Sequence, residues 1–238
     1  MTLTRALAEV MRLDTVVIGT DFDGTLAPIV EHPDLAVPDR RAVDSLRALA
    51  RMPGVEVVVV SGRSLSDLRE RLGEIPGVSL IGEHGNDIGV EEPKPEVLKE
   101  AIALIGELGK ATPGSTVEIK QRSVTFHTRR VAAPLADDAL AALRDWAAGH
   151  AGITVLEGKE VLELSVGTRT KADAVLEVGA EADAIIFIGD DRTDETVFER
   201  LHPEDVGVKV GEGDTAARFR VDDVAAVADL LETLVFSR

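Results

Sequence analysis

The stretch Thr15-Val16-Val17-Ile18-Gly19-Thr20-Asp21-Phe22-Asp23-Gly24-Thr25-Leu26 places two carboxylates at the end of an apolar run. Val16, Val17 and Ile18 have the pattern of a central parallel strand, buried on both faces. Two acids emerging from such a strand are costly unless they meet a cation or a substrate. Gly24 and Thr25 then permit a sharp turn. An Asp at a strand tip can attack phosphorus to give an aspartyl-phosphate, and a second Asp two residues on can protonate the leaving oxygen. A bare D-x-D says little; D-x-D-G-T-L directly after an apolar strand says much more.

Two further apolar runs end in polar groups of matching kind. Val57 to Val60 lead into Ser61-Gly62-Arg63, and Ile185 to Ile188 lead into Gly189-Asp190-Asp191-Arg192-Thr193-Asp194-Glu195, a cluster of hard oxygen ligands suited to magnesium. Taken singly, each has a plainer explanation. Asp21 and Asp23 suit an acidic strand-to-helix turn, Ser61-Gly62 a helix N-cap, and Asp190 to Glu195 the charged first turn of a helix. Together, three strand ends carry the required groups in the required order.

With these strings the chain resembles the haloacid-dehalogenase-like phosphatases. The resemblance implies that Asp21 is the nucleophile and Asp23 the general acid and base. Ser61 would hydrogen-bond a phosphoryl oxygen, with Gly62 and Arg63 beside it on the substrate. Lys171, in Thr170-Lys171-Ala172, would offset charge between nucleophile and phosphate. Asp21, the Asp23 carbonyl and Asp190 would hold Mg²⁺, with Asp191 and Asp194 binding it or positioning its waters. The expected fold is α/β, a Rossmann-like parallel sheet of the haloacid-dehalogenase type.

Along the chain, apolar strands alternate with helical periodicity to about residue 90, the pattern of a parallel sheet. Residues 40–51 have an apolar helical face through Val43, Leu46, Leu49 and Ala50; Leu65, Leu68 and Leu72 mark another helix. The character changes after Pro93 and Pro95. A helix is expected near 96–108, strands at 116–120 and 123–127, a helix over 136–150, and strands at 153–157 and 161–165. This αββαββ block reads as a domain of residues 91–165 inserted into a catalytic core of 1–90 and 166–238. After it come a helix at 172–178, the strand before Gly189 and closing helices. In the resembled family such an insert is a cap, which closes over the site, excludes water and reads the leaving group.

The strings at 21–30, 82–85 (G-E-H-G), 117–129 (V-E-I-K-Q-R-S-V-T-F-H-T-R), 158–164 (G-K-E-V-L-E-L) and 189–195 narrow the resemblance to the trehalose-6-phosphate phosphatase family. That implies a phosphoric monoester hydrolase acting on trehalose 6-phosphate, with Glu118, Lys120, Arg122 and Glu163 in the cap and His84 and Gly85 at the junction contacting the sugar. His127, Arg129 and Lys159 are further candidates. Periodicity alone gives Glu118, Lys120 and Arg122 a simpler role, as the solvated face of a strand, and Trp146 packs a helix. The family commonly has Gly where Ala172 follows Lys171, which bears on how closely that loop approaches phosphate. A phosphatase of sucrose phosphate or mannosylglycerate phosphate, and a silent sugar-phosphate sensor, remain alternatives. The set Asp21, Asp23, Lys171 and Asp190 disfavours the sensor, because a binding module has no need of both nucleophile and acid.

Composition is consistent with this. Twenty-six basic against 43 acidic residues give a net charge of −17, which argues against nucleic acid or an anionic membrane as partner. An anionic substrate then needs a cation and a few placed basic groups. The absence of cysteine excludes disulfides and thiolate metal sites. Residues 1–13 carry Glu9 and lack the apolar stretch of a signal peptide, and no run reaches membrane-spanning length. A cytoplasmic monomer binding a small-molecule substrate is expected.

Overall fold

The computed structural model describes residues 1–86, 95–158, 160–166 and 169–238. It divides into two compact units, Met1–Gly85 with Arg169–Arg238, and Asn86–Thr168. Lys159 and part of the segment carrying the expected boundary near residue 90 lie outside the described residues.

The larger unit is built on a six-stranded parallel sheet. Its strands are β1 (Val16–Thr20), β2 (Val55–Val60), β3 (Val78–Ile81), β8 (Ala184–Gly189), β9 (Val206–Val210) and β10 (Phe219–Val221), in the order β10-β9-β8-β1-β2-β3. β1 is central and wholly buried. Alternate residues along it serve two cores. Val16 and Ile18 pack with residues of α1 (Leu3–Val10), α2 (Arg40–Leu49) and α8 (Val224–Val235), including Leu7, Leu46 and Leu231. Val17 packs with Ala172, Val175, Val197 and Phe198 of α6 (Lys171–Val178) and α7 (Arg192–Phe198). Glycine is required at position 19 because a Cβ there would lie 2.8 Å from the Phe187 ring.

The smaller unit packs α4 (Glu96–Ala111) and α5 (Ala133–Ala148) on one face of an antiparallel sheet. Its strands β4 (Thr116–Ile119), β5 (Ser123–His127), β6 (Thr154–Gly158) and β7 (Val161–Ser165) run in the order β4-β5-β7-β6. Val124, Phe126, Leu162 and Leu164 face the helices. The period-two pattern therefore turns Ser123, Thr125, His127, Glu163 and Ser165 to the other face.

Several boundaries differ from the periodicity. α5 starts at Ala133 rather than 136, because Pro134 sits in the first turn, where no N–H is needed. β9 and β10 had no expected counterpart; a Gly and a Lys interrupt one, and the other has three residues. Among the described residues, no helix is long and apolar enough to cross a membrane.

Candidate active site

β1 delivers Asp21 to the sheet's edge, where its N–H continues the ladder by donating to Ile188 O at 2.9 Å. The chain then turns tightly, with Leu26 and Ala27 N–H groups both donating to Phe22 O. Gly24 has φ +73°, and a Cβ on it would fall 2.0 Å from Asp190 Oδ2, so the turn and the acid at the end of β8 fit only around a glycine.

Asp21 is 4% exposed and lies 2.9 Å from the Lys171 ammonium, which also donates to Asp194 Oδ1 at 2.8 Å. Lys171 is the first residue of α6, whose start is fixed by a reciprocal cap between Thr170 and Asp173. Asp194 is fully buried; its Oδ2 accepts the N–H groups of Asp190 and Asp191 at 2.9 Å. Asp191 caps α7 and is exposed. The plain helix-capping reading of this string therefore holds for Asp191, and Asp194 completes that cap while reaching Lys171.

Burial pushes the Asp21 carboxyl well above its ordinary pKa; Lys171 opposes this, and Asp194, Asp190 and Asp23 reinforce it. Asp190 is pushed up to about 7, by burial first and by Asp194 next. Burial disfavours the Lys171 charge, yet Asp194 and Asp21 outweigh it and hold the ammonium above its usual pKa. The site thus has more carboxylate than its lysine can neutralise.

Asp21, Asp190 and Asp194 bring one carboxylate oxygen each within 4.8 Å of one another. Asp194 has both oxygens engaged, whereas Asp190 Oδ1 is buried with no hydrogen-bond partner. All-oxygen donors, surplus negative charge and an unsatisfied carboxylate oxygen fit a hard divalent cation.

Ser61 follows β2, is 1% exposed and accepts Arg63 N–H at 3.2 Å. Ser64, rather than Ser61, is the N-cap of the next helix, α3 (Leu65–Leu72). Arg63 lies against other protein groups. Its Nε and Nη2 grip both Asp23 oxygens at 2.6 and 2.7 Å, Nη1 donates to Asp67 at 2.5 Å, and Nη2 also reaches Pro33 O at 2.9 Å. Burial works against the guanidinium charge, but Asp23 and then Asp67 raise its pKa above the ordinary value. Gly62 lies against the His84 ring, 2.6 Å from where its Cβ would stand. His84 adopts φ +56°, directly after Glu83 at φ +47°. Gly85, at φ +99°, packs on Thr170 O and Ala174, so its glycine is required by the start of α6.

Lys209 escaped the sequence reading. It is 5% exposed in the middle of β9, and its ammonium donates to the Asp190 carbonyl. A lysine inside an apolar five-residue run was the available signal.

In the smaller unit, Glu118, Thr125, Glu163 and Leu156 stand opposite one another across the four strands. Lys120 Nζ and Thr125 Oγ1 both donate to Glu163 Oε2, at 2.7 and 2.9 Å. Lys120 and Glu163 are buried, so this face is a bonded polar cluster rather than a solvated strand face. Glu118 meets His127 Nε2 at 3.3 Å. Burial raises the Glu118 pKa, yet the His127 hydrogen bond and the Lys120 charge together take it below the usual value. Arg122 is half-buried in the turn between β4 and β5, with its carbonyl accepting Val166 N–H, and Arg129 pairs with Glu160 at 3.4 Å.

The sequence is similar to that of a bifunctional trehalose-6-phosphate synthase/phosphatase of Thermoproteus tenax, 35% identical over 90% of this chain and 31% of that one. A trehalose-phosphate phosphatase of Mycobacterium marinum is 33% identical over 88% of this chain and 58% of its own. The chain thus spans less than two thirds of these relatives. Among solved structures, Aspergillus fumigatus trehalose-6-phosphate phosphatase superposes with TM-score 0.70 at 27% identity, over 100% of this chain and 98% of that one. The C-terminal domain of the C. albicans trehalose-6-phosphate phosphatase gives TM-score 0.85 at 24% identity, over 99% and 98%, a likeness of fold. Residues 19–225 match the family model for trehalose-phosphatase, and with most of its length inside that match the chain belongs to the trehalose-phosphatase family.

Proposed function

We propose that the chain is a Mg²⁺-dependent phosphatase that hydrolyses trehalose 6-phosphate to trehalose and inorganic phosphate, working as a cytoplasmic monomer. The observation that carries this reading is the buried Asp21 carboxylate, 2.9 Å from Lys171 and beside Asp190 with its unsatisfied oxygen. Asp21 attacks phosphorus, the sugar oxygen leaves with a proton from Asp23, and an aspartyl-phosphate forms on Asp21. Asp23 then takes a proton from water, which attacks that phosphorus and frees phosphate. Lys171 and the Ser61 hydroxyl hold phosphoryl oxygens where charge grows. Asp21, the Asp23 carbonyl and Asp190 would hold Mg²⁺, with Asp194 orienting their loop. When bound, the ion supplies charge neutralisation and orientation for the phosphoryl group. In the smaller unit, Glu118, Lys120 and Glu163 take hydroxyls of the distal glucose.

Phosphate release from a panel containing trehalose 6-phosphate, sucrose phosphate, mannosylglycerate phosphate and phenyl phosphate tests the reading. Trehalose 6-phosphate is expected to give the highest kcat/KM. Asp21→Asn, nearly isosteric but a poor nucleophile, should cut turnover by roughly a thousandfold or more with an unchanged circular dichroism spectrum. Turnover within about tenfold of the parent would remove Asp21 from the role.

A further inference from the structure

Among the described residues, the polar face of the smaller sheet contains one hydroxyl that its own cluster leaves unused. Ser123 is 1% exposed, and its Oγ has no hydrogen-bond partner. Its backbone takes part in the fold: its carbonyl accepts Lys120 N–H at 2.9 Å, and it stands opposite Ser165 in the register of β5 with β7. The side chain lies two residues before Thr125 and so shares its face, the one bearing Glu163 and Lys120. The neighbouring polar groups do not satisfy it. Ser165 Oγ is directed at the Arg122 carbonyl, 3.5 Å away, while Thr125 and Lys120 converge on Glu163.

A buried hydroxyl without a partner costs folding free energy, which alanine at the same place would avoid. Its presence beside a cluster of bonded acid, amine and hydroxyl groups points to a partner supplied from outside the chain. We propose that Ser123 Oγ is a further sugar-recognition group, donating to or accepting from a ring hydroxyl of the substrate's distal hexose. This rests on the reading that the Glu118, Lys120 and Glu163 face binds that sugar. A hydroxyl suits a hexose because it is both donor and acceptor, and can match a sugar hydroxyl in either sense. It also completes a set of different chemistry from the charged groups: it adds discrimination without adding charge to a face that already carries two carboxylates and one ammonium.

The test compares trehalose 6-phosphate with phenyl phosphate, which shares the phosphoryl group but has no hexose. In Ser123→Ala, the ratio of the two kcat/KM values is expected to fall about three- to tenfold, the loss of one neutral hydrogen bond. The melting temperature should stay the same or rise, because an unsatisfied polar group has been removed from the free protein. An unchanged ratio, or a lower ratio accompanied by a lower melting temperature, overturns the proposal. Lys120→Ala run alongside separates the two levels. If it lowers the ratio and Ser123→Ala does not, the serine alone is wrong; if neither lowers it, the sugar-binding reading of this face fails and takes the serine with it.

Discussion

Arg63 is the residue on which sequence and structure part most usefully. Ser61-Gly62-Arg63 marks a strand end of the right kind, and a cation there suggests a phosphate ligand. A sequence gives the charge of a guanidinium but not its direction. Folding sends this one to both oxygens of Asp23 and on to Asp67, which Arg71 Nε also holds at 3.1 Å. In the proposed reaction Arg63 would act through Asp23, as a positioning group. Lysine keeps the charge but cannot reproduce the two-pronged grip. Arg63→Lys should lower kcat by roughly ten- to a hundredfold while leaving KM for trehalose 6-phosphate within about threefold. A large rise in KM at constant kcat would instead return Arg63 to the phosphate. Asp21 and Lys171 were legible because a strand tip and a helix start each hold them in one orientation. Lys209 was not, because its partner is a backbone carbonyl that only the fold brings to it.

At the scale of elements, the strands that deliver the chemistry were readable and their neighbours less so. β8 is an uninterrupted apolar run, and β1 and β2 carry the runs Val16–Ile18 and Val57–Val60; β9 and β10 carry polar residues whose reason lies in contacts outside the strand, Lys209 with Asp190 and Arg220 with Gly213 O at 2.6 Å. α6 matters beyond its eight residues because it begins on the residue that pairs with Asp21. Its reciprocal cap is extended by an ion pair from Asp173 to Arg200, just past the end of α7, at 2.6 Å. Thr170→Ala removes the capping hydroxyl and should cost about 1 kcal/mol of stability, a fall of roughly 2–4 °C in melting temperature. Turnover should fall with it, because a frayed first turn no longer fixes Lys171. A melting curve superposable on the parent's would show that the cap carries no weight.

For the whole molecule, the acid surplus predicts a link between proton, cation and stability. Asp190 in the folded, metal-free protein holds its proton up to about 7, whereas an exposed Asp ionises near ~4. Between these values the folded state binds more protons than the unfolded chain, so metal-free stability should decline as pH rises through that window. A divalent cation competes with the same protons. The gain in melting temperature from added Mg²⁺ should therefore be small near about pH 5 and reach about 5 °C or more near pH 8, vanishing with EDTA. Calorimetry at both pH values checks this; equal gains at both would place the cation elsewhere than on Asp21 and Asp190.

The strand that carries Asp21 pairs on one side with β2 and on the other with β8, so that Val16 meets Ala184 and the neighbouring Thr15 bonds to a residue 168 positions later. During biosynthesis this central strand and its first partner leave the ribosome before β8, then wait while the complete smaller unit is made. At about 5–20 residues per second the wait from Val60 to Ala184 is roughly six to twenty-five seconds. Through that interval one edge of a strongly apolar strand has no partner, a template for pairing with other nascent chains. The smaller unit has no such wait, since all four of its strands lie in one continuous stretch. The nascent chain is thus most in need of a chaperone while its smaller unit can already fold and Asp21 still lacks Asp190 and Asp194 beside it.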